Sequence, residues 1–434
     1  MQIKGVKGTH DLYGDESYCY DYIENIFSIV AELYNYKKIE TPCLEYTEVF
    51  SRGTGTSSDV VRKEMYTFLD KGDRSVTLRP EGTAGVMRSI VENKLYATND
   101  LPLKAYYIGP VFRYERPQLG RYRQFYQAGI EAVGIDSSEL DAEVVVFAMR
   151  VLGMLGFNGL KVKVNTLGDK ESRLAYKEAL KAYFAPRIES MCDDCKERLK
   201  LNPLRILDCK VDADQEIAKG APKMRDYLSK SSEERFYHTL SILNEVGIEY
   251  EIDDSLVRGL DYYGEIVFEV HMLSPTGKDY GALLGGGHYD GLLSSFDGPS
   301  DIDHGVGFAL GMERIYSLMK EFDLLKDIKQ ELDIYLMPLG EKAMEYSFSL
   351  AEQLRSLGYS IDRPYKMAKL GSYFKKAERS RAKLALIFGD EELEKGIIQI
   401  KDLDKKEQKE VSLDNLDNEL DELFNEEDHH HHHE

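Results

Sequence analysis

The chain lacks the features that mark membrane and secreted proteins. No apolar run approaches the roughly 18 residues that would span a bilayer, and the N-terminus has no apolar stretch like that of a signal peptide. The 434 residues include 5 cysteines, too scattered for a disulfide framework, which fits a reducing compartment. We therefore expect a cytoplasmic protein with no membrane partner.

Positive charge is also scarce. The formal net charge is −21, with 56 Lys and Arg against 77 Asp and Glu, which argues against a general affinity for polyanions, and we expect no DNA partner. A nucleic-acid partner would have to bind at a local basic patch. The last residues, 429–434, are five histidines and a glutamate; we interpret them as a tag and leave them out of the functional argument.

The length allows two or three domains with separate cores, and the 42% hydrophobic content is typical of globular packing. Residues 169–245 are Lys/Glu-rich and predict a helical insertion. Strand and helix alternate over 332–388, with a helix at 371–383, which predicts a small doubly wound sheet. Other predicted elements are helices over 16–36, 84–93 and 139–155 and a hairpin over 64–79.

An arginine-rich stretch from Phe112 to Glu131 predicts two neighbouring strands joined by a turn at Pro117–Gly120. Arg113 and Glu115 share one strand face because side chains repeat every second residue. A guanidinium binds phosphate with a planar fork, and a carboxylate accepts from an exocyclic amine, so this face suits a nucleotide. The alternative is a surface hairpin with cross-strand ion pairs. The arginines in or beside the turn are Arg113, Arg116, Arg121 and Arg123.

Residues 79–83, Arg-Pro-Glu-Gly-Thr, lie at a predicted strand-to-helix turn. Pro80 favours an extended residue before it, and Gly82 permits close backbone approach. Turns of this kind hold ligand groups, which makes Glu81 and Thr83 candidate binding residues. The alternative is that Thr83 caps the helix and Glu81 is a solvated carboxylate.

Two glycine-rich stretches follow in the second half, at 285–291 and 305–314. Three consecutive glycines in the first let a backbone approach a ligand or another strand closely. The second places small residues at a spacing that predicts helix packing and ends in Arg314. It lacks the Gly-Lys-Ser/Thr ending and spacing of a Walker or dinucleotide motif. Taken alone, each cluster is more typical of structure than of function.

The insertion contains Cys192, Cys195 and Cys209. A Cys-x-x-Cys pair with a third thiol resembles part of a zinc site, but a closed structural site needs four ligands. No fourth ligand stands nearby in the sequence. Buried or loosely paired thiols are the favoured interpretation, and no metal site is predicted.

Residues 366–383 reverse the acidic character of the chain, with seven basic residues and one acid. The aromatic residues Tyr365, Tyr373 and Phe374 lie among them. Cations for phosphate and aromatic rings for unstacked bases indicate nucleic-acid binding. The alternative is a solvated helix face.

In order, Pro42, the Arg113/Glu115 hairpin and the 305–314 stretch resemble motifs 1, 2 and 3 of class II aminoacyl-tRNA synthetases. Two further segments, 256–263 and 285–291, are similar to the signatures of the histidyl-tRNA synthetase family. The resemblance covers essentially residues 1–425.

The resemblance implies an α+β fold, in which helices flank an antiparallel sheet, and a homodimer. The catalytic domain would span 1–325 with its helical insertion at about 169–245, and a C-terminal α/β anticodon-binding domain would span 331–425. The implied reaction joins L-histidine to its tRNA through an adenylate, with ATP as co-substrate and Mg²⁺ on the leaving pyrophosphate.

The resemblance also assigns roles to individual residues. Arg113 and Arg258 would stabilise the charge on the α-phosphate during catalysis. The implied histidine-binding residues are Glu81, Gly82, Thr83, Arg113, Gln127, Glu131, Arg258, Tyr262, Tyr263 and Tyr289. The implied ATP-binding residues are Arg113, Glu115, Phe125 and Arg314. The implied tRNA-binding residues are Arg116, Arg121, Arg123, Lys366, Lys369, Lys375, Lys376 and Arg379.

One departure and one alternative remain. The family more often has arginine where this chain has His288, so the role of that side chain is open. The alternative is a non-catalytic paralogue that acts as the regulatory subunit of the histidine-pathway phosphoribosyltransferase. The presence of Arg113, Glu115, Arg258 and Arg314 favours the enzyme.

Overall fold

Long strands with apolar residues at every second position organise the chain into two units. The computed structural model describes residues 3–98, 100–116 and 121–430. The predicted turn at Pro117–Gly120 and the tag residues 431–434 lie outside the described residues. The two compact units are Met1–Ile328 and Lys329–Glu434. Across the described ranges, no helix is both long and apolar enough to cross a membrane.

The first unit contains eleven strands and nine α-helices among its described residues. The strands are β1 Lys37–Lys38, β2 Leu44–Tyr46, β3 Tyr66–Leu69, β4 Ser75–Leu78, β5 Leu103–Phe112, β6 Gln124–Val133, β7 Leu160–Thr166, β8 Tyr250–Ile252, β9 Tyr263–Leu273, β10 Asp279–Asp290 and β11 His304–Gly311. The helices are α1 Gly14–Leu33, α2 Thr47–Phe50, α3 Thr83–Glu92, α4 Ser138–Met154, α5 Lys170–Phe184, α6 Asp193–Leu201, α7 Asp212–Lys219, α8 Lys230–Glu245 and α9 Met312–Glu321.

An eight-stranded sheet in the order β1-β5-β6-β11-β10-β9-β7-β8 forms the centre of this unit. Its six inner strands are antiparallel to one another, and the edge strands β1 and β8 pair in parallel with β5 and β7. One sheet face packs on α1, α4 and α9 through buried residues such as Ile130, Phe147 and Phe308. The predicted α+β class, an antiparallel sheet flanked by helices, is confirmed. A separate antiparallel sheet has the order β2-β4-β3.

The predicted helix packing of residues 305–314 is wrong. Residues His304–Gly311 form β11, and α9 begins only at Met312. Small residues recur there at every second position, which is the period of one strand face and not of a helix face. The motif therefore joins the last sheet strand to a helix.

The insertion has a hydrophobic core of its own. Helix α5 and the following short helices bury Tyr176, Leu180 and Phe184 together with Met191 and Ile206. Helix α8 differs because Phe236, Leu240 and Leu243 belong to the core under the main sheet. The polar sequence of α8 conceals this, since its buried positions are few and spaced by helical turns.

The second unit is a five-stranded sheet with helices. Its elements are β12 Leu332–Leu339, α10 Glu341–Ser356, β13 Ile361–Asp362, α11 Leu370–Arg379, β14 Ala382–Gly389, α12 Asp390–Glu394, β15 Ile397–Asp402, β16 Gln408–Ser412 and α13 Leu416–His430. Strand β12 lies parallel to β13 and β14, but β15 and β16 are antiparallel. The sheet is thus mixed, and the predicted doubly wound pattern holds only for its first three strands. The helix predicted over 371–383 ends at Arg379.

Candidate active site

The face of the large sheet opposite its helices carries polar residues and glycines. Along β6, the buried Ala128 and Ile130 point into the core. Alternation places Gln127, Gly129 and Glu131 on the other face. Strand register brings β5 and β11 to either side of these residues. The predicted binding residues of β6 therefore share one surface.

Glycines make room on this face for large polar side chains. A Cβ atom at Gly307 would lie 2.4 Å from Glu131 Oε2, and one at Gly305 would lie 2.2 Å from Tyr289 Cε2. A Cβ atom at Gly82 would lie 2.2 Å from the Tyr107 ring. These distances are too short for any side chain, so the glycines of the motifs let Glu131 and the tyrosines lie close to the sheet.

Glu131 is a buried carboxylate held by three hydroxyl groups. Thr83 Oγ1 donates to its Oε1 at 2.6 Å, Tyr107 donates to the same oxygen at 3.3 Å, and Tyr289 donates to Oε2 at 2.6 Å. Burial raises the pKa of Glu131 to about 8, despite these hydrogen bonds. Sequence reasoning missed Tyr107, which lies on β5 opposite Gly129.

Glu81 lies at the start of α3 and is 3% exposed, which excludes the solvated-carboxylate alternative. Its side chain accepts from the backbone amides of Thr83 and Ala84 at 2.6 and 3.1 Å and from Thr54 Oγ1 at 2.9 Å. Burial raises the pKa of Glu81. The carboxylate thus satisfies the free N–H groups of the helix end and leaves Thr83 to contact Glu131.

A tyrosine cluster adjoins the two carboxylates. The rings of Tyr262 and Tyr263 lie 4.6 Å apart, and those of Tyr262 and Tyr289 lie 5.6 Å apart, between centroids. Among the described residues, the buried Oε1 atom of Gln127 has no hydrogen-bond partner. An unpartnered buried acceptor costs folding free energy, which is consistent with a ligand donor at this position.

Arg258 lies in the segment before β9, and its guanidinium lies against Gly285 on β10. Its Nη1 donates to Glu269 Oε1 at 2.5 Å, and its carbon Cζ lies 5.9 Å from the Tyr263 ring centroid. A Cβ atom at Gly285 would lie 2.4 Å from Nη1. The Nε atom is buried without a partner among the described residues. The first glycine of the triplet therefore provides the space that Arg258 occupies.

Arg113 connects the arginine hairpin to the turn that carries Glu81. Its Nε donates to the carbonyl of Pro80 at 2.8 Å, and its Cζ lies 5.3 Å from the Phe125 ring centroid. Glu115 Oε1 lies 3.9 Å from Nη1. Strand β5 ends at Phe112, so Arg113 and Glu115 come together by chain bending and not by the predicted strand alternation.

The other hairpin arginines differ in their contacts. Arg116 and Arg121 are exposed, and Arg121 Nη1 lies 3.9 Å from Glu115 Oε2. Arg123 is engaged in the structure, because its Nε donates to the carbonyl of Glu115 at 3.2 Å and its Cζ lies 4.0 Å from the Tyr114 ring centroid. Arg116 and Arg121 are therefore the better placed of the three to meet a large partner.

Arg314 follows the start of α9, and its Nη2 donates to the carbonyl of Tyr280 on β10. The neighbouring Glu313, which sequence reasoning missed, is 4% exposed and accepts from the Tyr126 amide at 3.0 Å with both oxygens. Burial raises the pKa of Glu313 to about 7. This contact fixes α9 to β6 beside the ring of Phe125.

The basic segment 366–383 exposes most of its cations but buries one of its aromatic residues. The five cations named from the sequence are exposed, and none forms an ion pair within the described part of the chain. They are Lys366, Lys369, Lys375, Lys376 and Arg379. Tyr365 is 78% exposed, but Tyr373 is fully buried, and its hydroxyl accepts from the Ala368 amide. Tyr373 is a core residue and cannot stack on a base.

His288 links β10 to α4 and is 1% exposed. Its Nδ1 lies 2.9 Å from Asp141 Oδ1, and its Nε2 lies 2.9 Å from Asp290 Oδ1. Burial lowers the pKa of His288, but the two carboxylates outweigh it and raise the pKa to about 9. The side chain whose role was open is a buried cation between two acids.

We expect His288→Gln to destabilise the protein at pH 7 by about 3 kcal/mol at most, since it removes the cation that lies between Asp141 and Asp290. Arg235 still pairs with Asp141 and His304 with Asp290 in the variant, which offsets part of the loss. The raised pKa stabilises the folded state fully below the unfolded pKa of about 6.5, and this stabilisation is lost as pH rises through about 9. The difference from wild type in urea unfolding should therefore shrink between pH 7 and pH 10. The exposed His238→Gln is the control, and a difference independent of pH would contradict the buried cation.

Two family models match this chain. The histidyl-tRNA synthetase model matches residues 8–315, and the anticodon binding domain model matches residues 333–423. The histidine–tRNA ligase of Bacillus licheniformis is 47% identical over 413 residues, which are 94% of this chain and 96% of that protein. The histidine–tRNA ligase of Staphylococcus haemolyticus is 46% identical over 417 residues, covering 96% of this chain and 98% of that protein.

Solved structures share the fold of this chain over most of its length. The crystal structure of apo S. aureus histidyl-tRNA synthetase has a TM-score of 0.81 at 39% identity and covers 96% of this chain and 98% of its own. A Bacillus halodurans structure described as an ATP phosphoribosyltransferase regulatory subunit/histidyl-tRNA synthetase has a TM-score of 0.63 at 20% identity, covering 90% of this chain and 99% of its own. At that identity the second likeness shows the fold alone.

The helix-flanked antiparallel sheet, with an arginine hairpin and a glycine-lined polar face, defines a class II aminoacyl-tRNA synthetase. With matches over nearly its whole length, the chain belongs to the histidyl-tRNA synthetase family. The family predicted from the sequence is confirmed.

Proposed function

We propose that this enzyme attaches L-histidine to its cognate tRNA in two steps. Histidine and ATP form histidyl-adenylate and pyrophosphate, and the adenylate is then attacked by the terminal ribose hydroxyl of tRNA, which releases AMP. The observation that carries the proposal is the buried Glu131 among tyrosines on the glycine-lined face. It supports a pocket for a ligand that brings its own hydrogen-bond donors.

The acceptor capacity of the pocket suits histidine. A carboxylate offers about four acceptor positions, and Glu81 and Glu131 each use three of them within the protein. One position therefore remains on each, which suits an ammonium group and an imidazole N–H. Gln127 Oε1 adds another acceptor. An amino acid without a ring donor would leave a buried acceptor unpaired, which is how such a site discriminates.

ATP, entering as its Mg²⁺ complex, is proposed to bind beside the arginine hairpin. Phe125, which lies against Arg113, offers an aromatic face to adenine, and Glu115 offers an acceptor for the exocyclic amine. Arg113 would hold the α-phosphate and Arg314 the γ-phosphate, because a guanidinium group can donate two parallel N–H···O hydrogen bonds to one phosphate group. Mg²⁺ would neutralise charge on the leaving pyrophosphate.

Catalysis then needs positioning and charge, and no covalent intermediate with the protein. The histidine carboxylate attacks the α-phosphorus in line, and negative charge builds on the α-phosphate oxygens. Arg113 and Arg258 are each anchored by one nitrogen, to the Pro80 carbonyl and to Glu269. Their remaining N–H groups are thereby fixed before the reaction, so no reorganisation is needed in the transition state.

The tRNA is proposed to contact two surfaces, each within one unit. Arg116, Arg121 and Arg123 of the hairpin would meet the acceptor end, although Arg123 has structural contacts as well. The five exposed cations around α11 would meet the anticodon stem-loop, and Tyr365 could stack on a base. We also propose a homodimer, as the family resemblance implies.

Replacing both Lys375 and Lys376 by alanine should raise the KM for tRNA by about 10-fold. It should also make the salt dependence of tRNA binding shallower by a slope of about 2, one for each lost phosphate contact. Activation of histidine without tRNA should not change. The double variant of Lys342 and Lys409 is the control, since ion pairs to Glu394 and Glu419 already neutralise these lysines. Equal effects of both variants would remove the anticodon role of α11.

A tRNA aminoacylation assay tests the proposed function. Labelled histidine, ATP and total bacterial tRNA should give acid-precipitable label and one AMP for each histidine attached. Charging should require all three substrates. Absence of charging under conditions that support histidine activation would restrict the function to adenylate formation.

A further inference from the structure

The insertion brings three cysteines and one aspartate around a common point. Cys192 precedes α6, Cys195 lies in its first turn, Cys209 follows the short helical segment Pro203–Asp208, and Asp214 lies in the first turn of α7. One ligand atom from each residue lies within 4.8 Å of all the others. No fourth ligand was predicted from the sequence, and the structure supplies it as Asp214.

The distances suit a tetrahedral metal ion. Cys192 Sγ and Cys209 Sγ lie 3.8 Å apart, and Cys209 Sγ lies 3.3 Å from Asp214 Oδ2. Zinc bonds of about 2.3 Å to sulfur and about 2.0 Å to oxygen give tetrahedral edges of about 3.8 and 3.5 Å. A disulfide would need a sulfur separation of about 2.05 Å, and all five cysteines are free.

Backbone amides orient these side chains. The Cys192 amide donates to Asp214 Oδ2 at 3.1 Å, and the Val211 amide lies 3.5 Å from Cys209 Sγ. Hydrogen bonds of this kind fix the ligands of metal sites and spread their negative charge. Cys195, Cys209 and Asp214 are almost fully buried, at 0%, 3% and 1% exposure. The cluster is therefore closed and ordered, unlike a group of surface acids.

We infer that Cys192, Cys195, Cys209 and Asp214 bind one Zn²⁺ ion in a structural site. Three soft sulfur ligands select zinc over magnesium or calcium. Four protein ligands fill its tetrahedral coordination and leave no open position for substrate. On binding, each thiol releases its proton to solvent and becomes a thiolate ligand.

The zinc site would hold the part of the insertion that supports the Arg258 segment. Residues between its ligands reach out of the insertion: Asn202 Nδ2 lies 3.3 Å from Asp261 Oδ1, and Arg205 donates to the Gly259 carbonyl. Arg198 pairs with Asp59 at 2.8 Å. Gly259 directly follows Arg258 in the chain, so metal loss should loosen the segment that places this arginine. The inference itself rests on the cluster and not on the proposed function.

The test begins with the whole protein, purified under reducing conditions without added metal. Elemental analysis should find about one zinc per chain. After removal of zinc, added Co²⁺ should give thiolate-to-cobalt charge-transfer bands. These bands distinguish sulfur ligands from the terminal histidines, which could also bind metal. A chelator should lower the melting temperature, because metal bound only by the folded state stabilises it.

Cys209→Ser should lose the bands and lower the zinc content to below about a tenth of one ion per chain. Cys43→Ser, outside the cluster, should behave as wild type. Asp214→Asn, which keeps the shape but not the charge, should bind zinc at least 10-fold more weakly. The inference is overturned if fully reduced wild type contains no zinc and gives no charge-transfer bands with Co²⁺. Bands of unchanged intensity in Cys209→Ser would overturn it too, and neither result requires the variants to be stable.

Discussion

Arg258→Ala should slow histidyl-adenylate formation by about 100-fold or more, while leaving histidine binding nearly unchanged, because it removes a fixed donor to the charge on the α-phosphate. Single-turnover measurement of adenylate in a quenched-flow instrument separates this step from tRNA transfer. Arg258→Lys should recover only part of the rate, since an ammonium group cannot bind Glu269 and phosphate with one planar fork.

A glycine substitution tests the same assignment without removing the arginine. In Gly285→Ala, the new Cβ atom would lie 2.4 Å from Arg258 Nη1 and displace the guanidinium, so the rate should fall toward that of Arg258→Ala. Gly153→Ala is the matched control because an added Cβ atom there meets nothing within 4 Å. Adenylate formation at the wild-type rate in Arg258→Ala would refute the assignment.

Glu131→Gln should weaken histidine binding and stabilise the folded protein. The KM for histidine should rise by about 10- to 100-fold, because the amide of glutamine cannot ionise to pair with the ammonium group of the bound amino acid. Burial raises the pKa of Glu131 from 4.5 to about 8. The folded state therefore keeps a proton that the unfolded chain releases, and wild-type stability falls as pH rises between those values.

The variant has no such titration, so its advantage in unfolding free energy should grow between pH 5 and pH 8 to about 3–5 kcal/mol. Urea unfolding at several pH values measures this directly. Glu178→Gln, at an exposed carboxylate that pairs with Lys181, should change neither KM nor the pH dependence. An unchanged KM together with lower stability at pH 8 would show that Glu131 is a structural residue.

Hydrophobic periodicity predicted the position of helices and strands well wherever one face of the element is buried. Helix α1 was predicted over 16–36 and spans Gly14–Leu33, and the strands β3 and β4 occupy the predicted hairpin. Short stretches of small residues were less informative. Residues 305–314 were predicted to pack as a helix, although 304–311 form a strand, because glycine has no side chain to show whether the period is that of a helix or a strand.

The sequence and the family resemblance identified the candidate site as a set of residues, and the structure adds how these residues lie in space. Glu81 and Glu131 lie far apart in sequence, and they meet through Thr83 only because α3 packs beside β6. The pairing of Gly305 with Tyr289 depends on strand register, which no single stretch of sequence determines. The family resemblance supplied the residues, and the structure gives physical reasons for their types.

Burial is the quantity that sequence conveyed least well. Tyr373 was expected to face a base and is a core residue, whereas His288 was left without a role and is a buried cation. Asp214 was not named as a fourth ligand, and nothing in its polar helix indicates that this carboxylate is buried beside the cysteines. In each case tertiary contacts, absent from the local pattern, decide the environment of the side chain.

The most direct test of the proposed function is exchange of labelled pyrophosphate into ATP, run with each of the twenty amino acids, with Mg²⁺ and without tRNA. We predict exchange with histidine alone, because its ammonium group and imidazole N–H together satisfy the acceptors of Glu81 and Glu131. Tryptophan also has a ring N–H, but its larger indole would have to fit among the closely packed rings of Tyr262, Tyr263 and Tyr289. Exchange with another amino acid would contradict the pocket assignment. No exchange with any amino acid, in folded protein, would contradict the enzyme and favour the non-catalytic regulatory paralogue.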